Sequence, residues 1–107
     1  MIEKKFRLTT KDLKSFFENK KFKQNLINSY LKILSKENNL DFPRFAVIFA
    51  KNSLKKAFLR NKIKRRIYAI IRPLIKNGNF KGKDIVFLVK KDFSFDELKE
   101  ILSRNFL

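Results

Sequence analysis

The sequence predicts a single α+β domain, and three observations point to it. Two continuous apolar runs, Phe42-Pro43-Arg44-Phe45-Ala46-Val47-Ile48-Phe49-Ala50 and Asp84 to Val89, have the composition of buried strands. Between them, from about Ser53 to Arg72, the residues Leu59, Ile63, Ile67, Ile70 and Leu74 recur at helical spacing and share one apolar sector. Finally, 107 residues are enough for one hydrophobic core and too few for two, so residues 1–107 are expected to form one domain. The 13 Phe and an apolar fraction of 44% provide bulk that a disordered basic tail lacks.

Thr9-Thr10-Lys11-Asp12 offers a cap ahead of Leu13, Phe16 and Phe17, whose spacing places them on one face of a short helix reaching about Asn19. The next stretch reads two ways. Ile27, Leu31 and Leu34 fit a helical stripe, while Tyr30 to Leu34 also fits a strand. Lys36-Glu37-Asn38-Asn39 makes a polar turn before the first apolar run. After the central helix, Pro73 is expected to end or kink it, and Asn77-Gly78-Asn79 opens a loop that passes through Gly82 into the second run. Ser94 caps a final helix with Glu97 as its capping-box partner and Leu98, Ile101 and Leu102 as its apolar side. Asp92, Asp96, Glu97 and Glu100 cluster there, and capping accounts for them better than a metal site does.

The charge is one-sided. A net charge of +17 and a pI near 10.4 exceed what solubility requires and call for a polyanionic partner, nucleic acid first. The cations concentrate in Lys51, Lys55, Lys56, Arg60, Lys62, Lys64, Arg65 and Arg66, and no acid occurs from Phe42 to Lys83. An ordinary solvated surface mixes signs. Opposite the apolar sector, Asn61, Arg65, Tyr68 and Arg72 are expected on the outer face, flanked by Lys62 and Lys64, making this the expected RNA surface. A membrane is a poorer partner, because the core consumes the helix's apolar residues.

Cys and His are both absent, which rules out disulfides and thiolate metal sites and removes the commonest general acid/base. A stand-alone nuclease therefore has no credible acid/base set, and neither a catalytic residue, a metal site, nor a small-molecule substrate is expected. The N-terminus has no apolar signal core and no apolar run approaches the roughly 20 residues of a membrane span, so a cytoplasmic location is expected.

Arg60-Asn61-Lys62-Ile63-Lys64-Arg65 resembles the Arg-Asn-Arg-x-Lys-Arg motif of the bacterial ribonuclease P protein family, with Lys62 where the family usually has Arg. The order of an apolar strand, a Lys-rich turn with Lys55-Lys56-Ala57, the motif helix, a loop, an apolar strand and an amphipathic helix is similar to that family over most of the chain. The resemblance implies an α/β sandwich in the order helix-strand-strand-strand-helix-strand-helix, with strands near Lys21 to Lys23 and Ser29 to Ser35. It also implies a left-handed crossover at the motif helix, similar to a ribosomal-protein domain, where the general rule favours the right-handed form.

By the same resemblance, catalysis belongs to an RNA subunit with magnesium, and the protein holds that P RNA and the 5′ leader of precursor tRNA. Arg60, Asn61, Lys62, Lys64 and Arg65 are then expected against the catalytic RNA, with Lys64 also bordering the leader cleft. Tyr68 and Ala69 replace the Arg-Glu that commonly follows the motif, which puts an aromatic at a leader-facing position. Phe17, Phe22 and Tyr30 are the aromatics available for the other cleft wall, and Phe17 suits either the cleft or the core. The alternative function is a non-enzymatic RNA-binding module of the ribosomal or ribonucleoprotein-assembly kind using the same basic helix.

Overall fold

The computed structural model describes residues 3–18, 31–50, 56–78, 80–91, 96–97 and 99–100, together with the backbone of 23–27. A 3-10 turn at Lys4–Phe6 precedes α1 (Thr10–Glu18), β1 (Lys23–Ile27), β2 (Leu31–Glu37), β3 (Arg44–Phe49), α2 (Ala57–Lys76) and β4 (Lys83–Val89). The strands form one sheet in the order β1-β2-β4-β3. β1 and β4 each pair antiparallel with β2, while β3 lies parallel to β4. Parallel neighbours need a crossover, and α2 supplies it. Within the stretch that read two ways, Ile27 ends β1 and Leu31 to Leu34 lie in β2.

Register sorts the side chains onto two faces, because alternate residues of a strand point to opposite sides. Leu31 and Ile33 of β2, Phe45 and Val47 of β3, and Ile85, Phe87 and Val89 of β4 join Ile63, Ile67, Tyr68 and Ile71 of α2 and Phe80 in the main core. On the other face Leu34, Ala46 and Val86 meet Phe16 of α1 and Leu8 in a smaller cluster. A helix on each face of the sheet makes the expected sandwich. In the main core the Phe45 ring sits edge-on to Phe80 at 5.3 Å and stacked with Phe87 at 6.3 Å.

α1 is held by a reciprocal cap. The Thr9 backbone N–H donates to Asp12 Oδ2 at 3.0 Å, and the Asp12 N–H donates to Thr9 Oγ1 at 3.1 Å. Thr9 is the capping residue, as the sequence suggested. The chain before it runs beside β3, where the Leu8 N–H donates to the Phe45 carbonyl at 2.8 Å and covers that strand's edge.

Three expectations change. Pro73 does not end α2, which runs to Lys76. Pro73 and Ala69, whose carbonyl loses its helical donor, are both exposed, while Leu74 and Ile75 pack on the main core and keep the last turn in place. The helix stops at Asn77, and Gly78 at φ 77° takes the left-handed position, its N–H donating to the Ile75 carbonyl at 3.0 Å. The buried stripe of α2 is also rotated from the expected sector, centring on Ile63, Ile67 and Ile71 with Tyr68 beside them, while Leu59 and Ile70 are only half-buried. The first two strands lie about two residues later than expected. Asp96, Glu97, Lys99 and Glu100 are helical, whereas the proposed Ser94 cap and the apolar side at Leu98, Ile101 and Leu102 fall outside the described residues.

Candidate nucleic-acid interface

With its apolar stripe on the sheet, α2 turns its remaining surface outward. Lys56, Arg60, Asn61, Lys62, Arg65, Arg72 and Lys76 are exposed there, and Lys64 and Arg66 are half-buried at the margins. No acid lies in the helix to offset them. A one-signed cationic face of this kind attracts a polyanion such as a phosphate backbone. Arg60 is oriented as well as exposed: its guanidinium lies over the Phe49 ring, 5.7 Å from the centroid. Lys51 and Lys55, also expected on this surface, lie outside the described residues.

Tyr68 does not belong to it. The ring is 5% exposed and forms part of the main core, so it is not available to stack on a base. Burial pushes its phenol pKa up, partly opposed by the positive charge of Arg7. Its position beside Ile67 and Ile71 explains the rotation of the stripe, because a Tyr ring adds enough apolar area for packing to draw it inward.

The second expected surface lies on the α1 side of the sheet. Phe17 is 36% exposed and packs edge-on against the buried Phe16 ring at 5.3 Å, so Phe16 is core and Phe17 lies at the surface. On the same sheet face Lys32 of β2, Leu88 of β4 and Ile48 of β3 align in register and are half-buried. Together they offer an apolar floor with one cation. Phe22 and Tyr30, the other expected wall, lie outside the described residues. The sheet therefore separates Phe17 from the cations of α2, giving two surfaces on opposite sides.

An ionic clamp braces the α1 side. Arg44 reaches Asp84 through Nε to Oδ1 at 2.9 Å and a terminal nitrogen to Oδ2 at 2.8 Å, while its other terminal nitrogen lies 3.3 Å from Asp12 Oδ1. Asn38 Nδ2 donates to Asp84 Oδ1 at 2.9 Å and to the Phe42 carbonyl at 3.1 Å. The Asp84 carboxylate beside Arg44 raises the guanidinium pKa above its usual value. The Thr9 backbone N–H, and then Arg44, hold the Asp12 carboxyl below its usual value. These groups line a pocket of about 300 Å³ with Ser15, Phe16, Lys36, Glu37 and Asn39. Arg44, Asp12 and Asp84 satisfy one another there, which marks the cluster as structural.

Sequence reasoning missed one residue on the outer face. Phe58 is 62% exposed, the most exposed large apolar side chain among the described residues. It precedes Asn61 by three positions, Lys62 by four and Arg65 by seven, so helical spacing alone would have placed it among the motif side chains. Among the described residues no group of three acidic, His or Cys side chains could hold a metal ion. No helix of the described residues is long and apolar enough to cross a membrane.

Comparison with known proteins agrees with this architecture. The chain is 39% identical over 59 residues to the ribonuclease P protein component of Ectopseudomonas mendocina, a match covering 55% of the chain and 42% of the relative. It is 36% identical over 92 residues to the protein component from Syntrophomonas wolfei, covering 85% of the chain and 72% of the relative. The chain thus spans less than half of the first relative's length and nearly three quarters of the second's. Its fold superposes on the solved ribonuclease P protein from Thermotoga maritima with a TM-score of 0.73 at 29% identity, covering 92% of this chain and 94% of that one. The family model for ribonuclease P matches residues 2–106, and with the motif carried on the outer face of α2, the chain belongs to the ribonuclease P protein family.

Proposed function

We propose that this chain is the protein subunit of a ribonuclease P, binding the catalytic P RNA through the outer face of α2 and the 5′ leader of precursor tRNA on the α1 side of the sheet. The observation that carries this reading is the acid-free helix presenting Arg60, Asn61, Lys62 and Arg65 together at the surface in a chain matched end to end by the family. Cleavage is assigned to the RNA and its magnesium, because a chain without His or Cys has little to offer as a general acid or base at neutral pH. The protein's part is electrostatic and positional. Cations on α2 neutralise phosphates that repel one another in a folded RNA, reducing the magnesium needed to hold it together. On the α1 side, Phe17 and the Lys32, Ile48, Leu88 floor suit splayed bases, which stack on aromatics without sequence-specific readout. The setting is the cytoplasm, where these RNAs would meet it.

The test is reconstitution of precursor tRNA cleavage with a bacterial P RNA, with and without this protein, across a magnesium titration. P RNA with the protein is expected to cleave at lower magnesium than P RNA alone, and the protein alone is expected to leave the substrate intact. Correctly positioned 5′ cleavage by rigorously RNA-free protein would overturn the assignment of catalysis. If about 5 to 8 phosphates are neutralised, log affinity falls against log salt with a slope of roughly −4 to −6, and a slope shallower than about −2 would show that charge does not carry the binding.

A further inference from the structure

From the exposure of Phe58 within the motif face of α2, we infer that this side chain is a stacking platform for an unpaired base of the RNA that α2 docks on. The inference rests on the function proposed above and extends it from charge to base contact. The first turn of α2 needs only cations to hold a phosphate backbone, yet this chain places a phenyl ring there, 62% exposed. The ring takes no part in either hydrophobic cluster. Lys56 Nζ lies 5.9 Å from the ring centroid. An ammonium beside an open aromatic ring matches one nucleotide, the ring taking the base and the cation its phosphate.

Charge complementarity selects this occupant. Asn61, Lys62 and Arg65 surround the position at helical spacing, in a stretch with no acid between Asp41 and Asp84. A second copy of this chain would bring the same positive face and be repelled. Paired bases are also excluded, since stacking on a side chain requires a base free of its duplex neighbours.

The experiment compares unsubstituted protein, Phe58→Ala and Phe58→Trp in binding a bacterial P RNA over a salt series. Phe58→Ala is expected to bind about 5- to 150-fold more weakly, the equivalent of one stacked base, with an unchanged slope of log affinity against log salt and an unchanged melting temperature. Arg65→Ala, by contrast, is expected to make that slope shallower by about 0.7 to 0.9. Phe58→Trp is expected to keep the affinity, and because the chain contains no Trp, its indole reports stacking directly by fluorescence quenching when RNA is added. Equal binding by Phe58→Ala, or an unquenched indole in the saturated complex, would overturn the inference. Self-association of the free protein that Phe58→Ala abolishes would assign the ring to a second copy and overturn it too. Absence of any complex with unsubstituted protein is a different result, and it would defeat the proposed function itself.

Discussion

The two faces of the sheet are built to different standards. Toward α2, Leu31, Ile33, Phe45, Val47, Ile85, Phe87 and Val89 are almost fully sealed from water, and the face turns polar only at the Ser35 position and at the exposed end formed by Glu37 and Lys83. Toward α1, the same strands present three successive rows: the ionic row Lys36, Asp84 and Arg44, the apolar row Leu34, Val86 and Ala46 under Phe16, and the half-buried row Lys32, Leu88 and Ile48. One face is committed to holding the domain together. The other divides its area between a small core, a polar clamp and a half-buried row open to solvent, and so gives up some of the burial that stabilises. The comparison extends to α2, whose inner stripe anchors the fold while its outer face carries the cations.

Four measurements break or sharpen this contrast. The largest effect is expected for Ile67→Ala, which empties a fully buried site in the main core and should lose about 2 to 5 kcal/mol, lowering the melting temperature by at least about 10 °C. A drop of only a few degrees would show that the α2 face is not the chief source of stability. Next comes Arg44→Met, which leaves the Asp84 carboxylate with Asn38 as its remaining side-chain partner. A loss of about 2 to 3 kcal/mol is expected in denaturant titration, less than for a fully buried pair because the guanidinium is partly exposed. No loss at all would make the clamp ornamental.

Phe17→Ala is expected to cost less than about 1 kcal/mol of stability while reducing the holoenzyme's preference for precursor over mature tRNA by about 1 to 3 kcal/mol. A melting temperature that falls as far as for Ile67→Ala, with leader preference intact, would move Phe17 from binding surface to core. The smallest effect concerns acid. Asp12 has a lowered folded-state pKa, so its contribution is present above the unfolded value of about 3.8 and is lost as pH falls through the folded one. The melting temperature should therefore decline below about pH 4 more gently in Asp12→Asn than in the unsubstituted chain. Parallel curves would show that the cap works without its charge.

The legible parts of this fold were those that a single interaction dictates. Phe42 to Ala50 and Asp84 to Val89 could be read as holding strands because burial on both faces imposes a continuous apolar run, and Thr9 to Asp12 could be read as a capping stretch because cap hydrogen bonds are local. The cationic motif was legible because charge belongs to the residue type. What escaped depended on competition between neighbours. Both flanks of the α2 stripe are apolar enough to be buried, and the shape of the sheet, which sequence does not display, selected Tyr68 and Ile71 over Leu59. Pro73 does not end α2, because Leu74 and Ile75 grip the core in its last turn, which the local rule for proline does not take into account. Phe58 was not singled out because charges dominate its segment, although its spacing from Asn61, Lys62 and Arg65 puts it on their face.

Asp12 belongs to two structures at once, closing the cap of α1 and touching the guanidinium that Asp84 holds on the sheet. It pins the first turn of the helix to the row of charges at one end of the strands. Five residues on, about 7.5 Å farther along the axis, Phe17 rides at the helix's far end with the buried Phe16 as its fulcrum. The helix is in effect a short cantilever. Its bolt is ionic and its tip aromatic, so a change made at Arg44 loosens the anchor of the helix that carries Phe17.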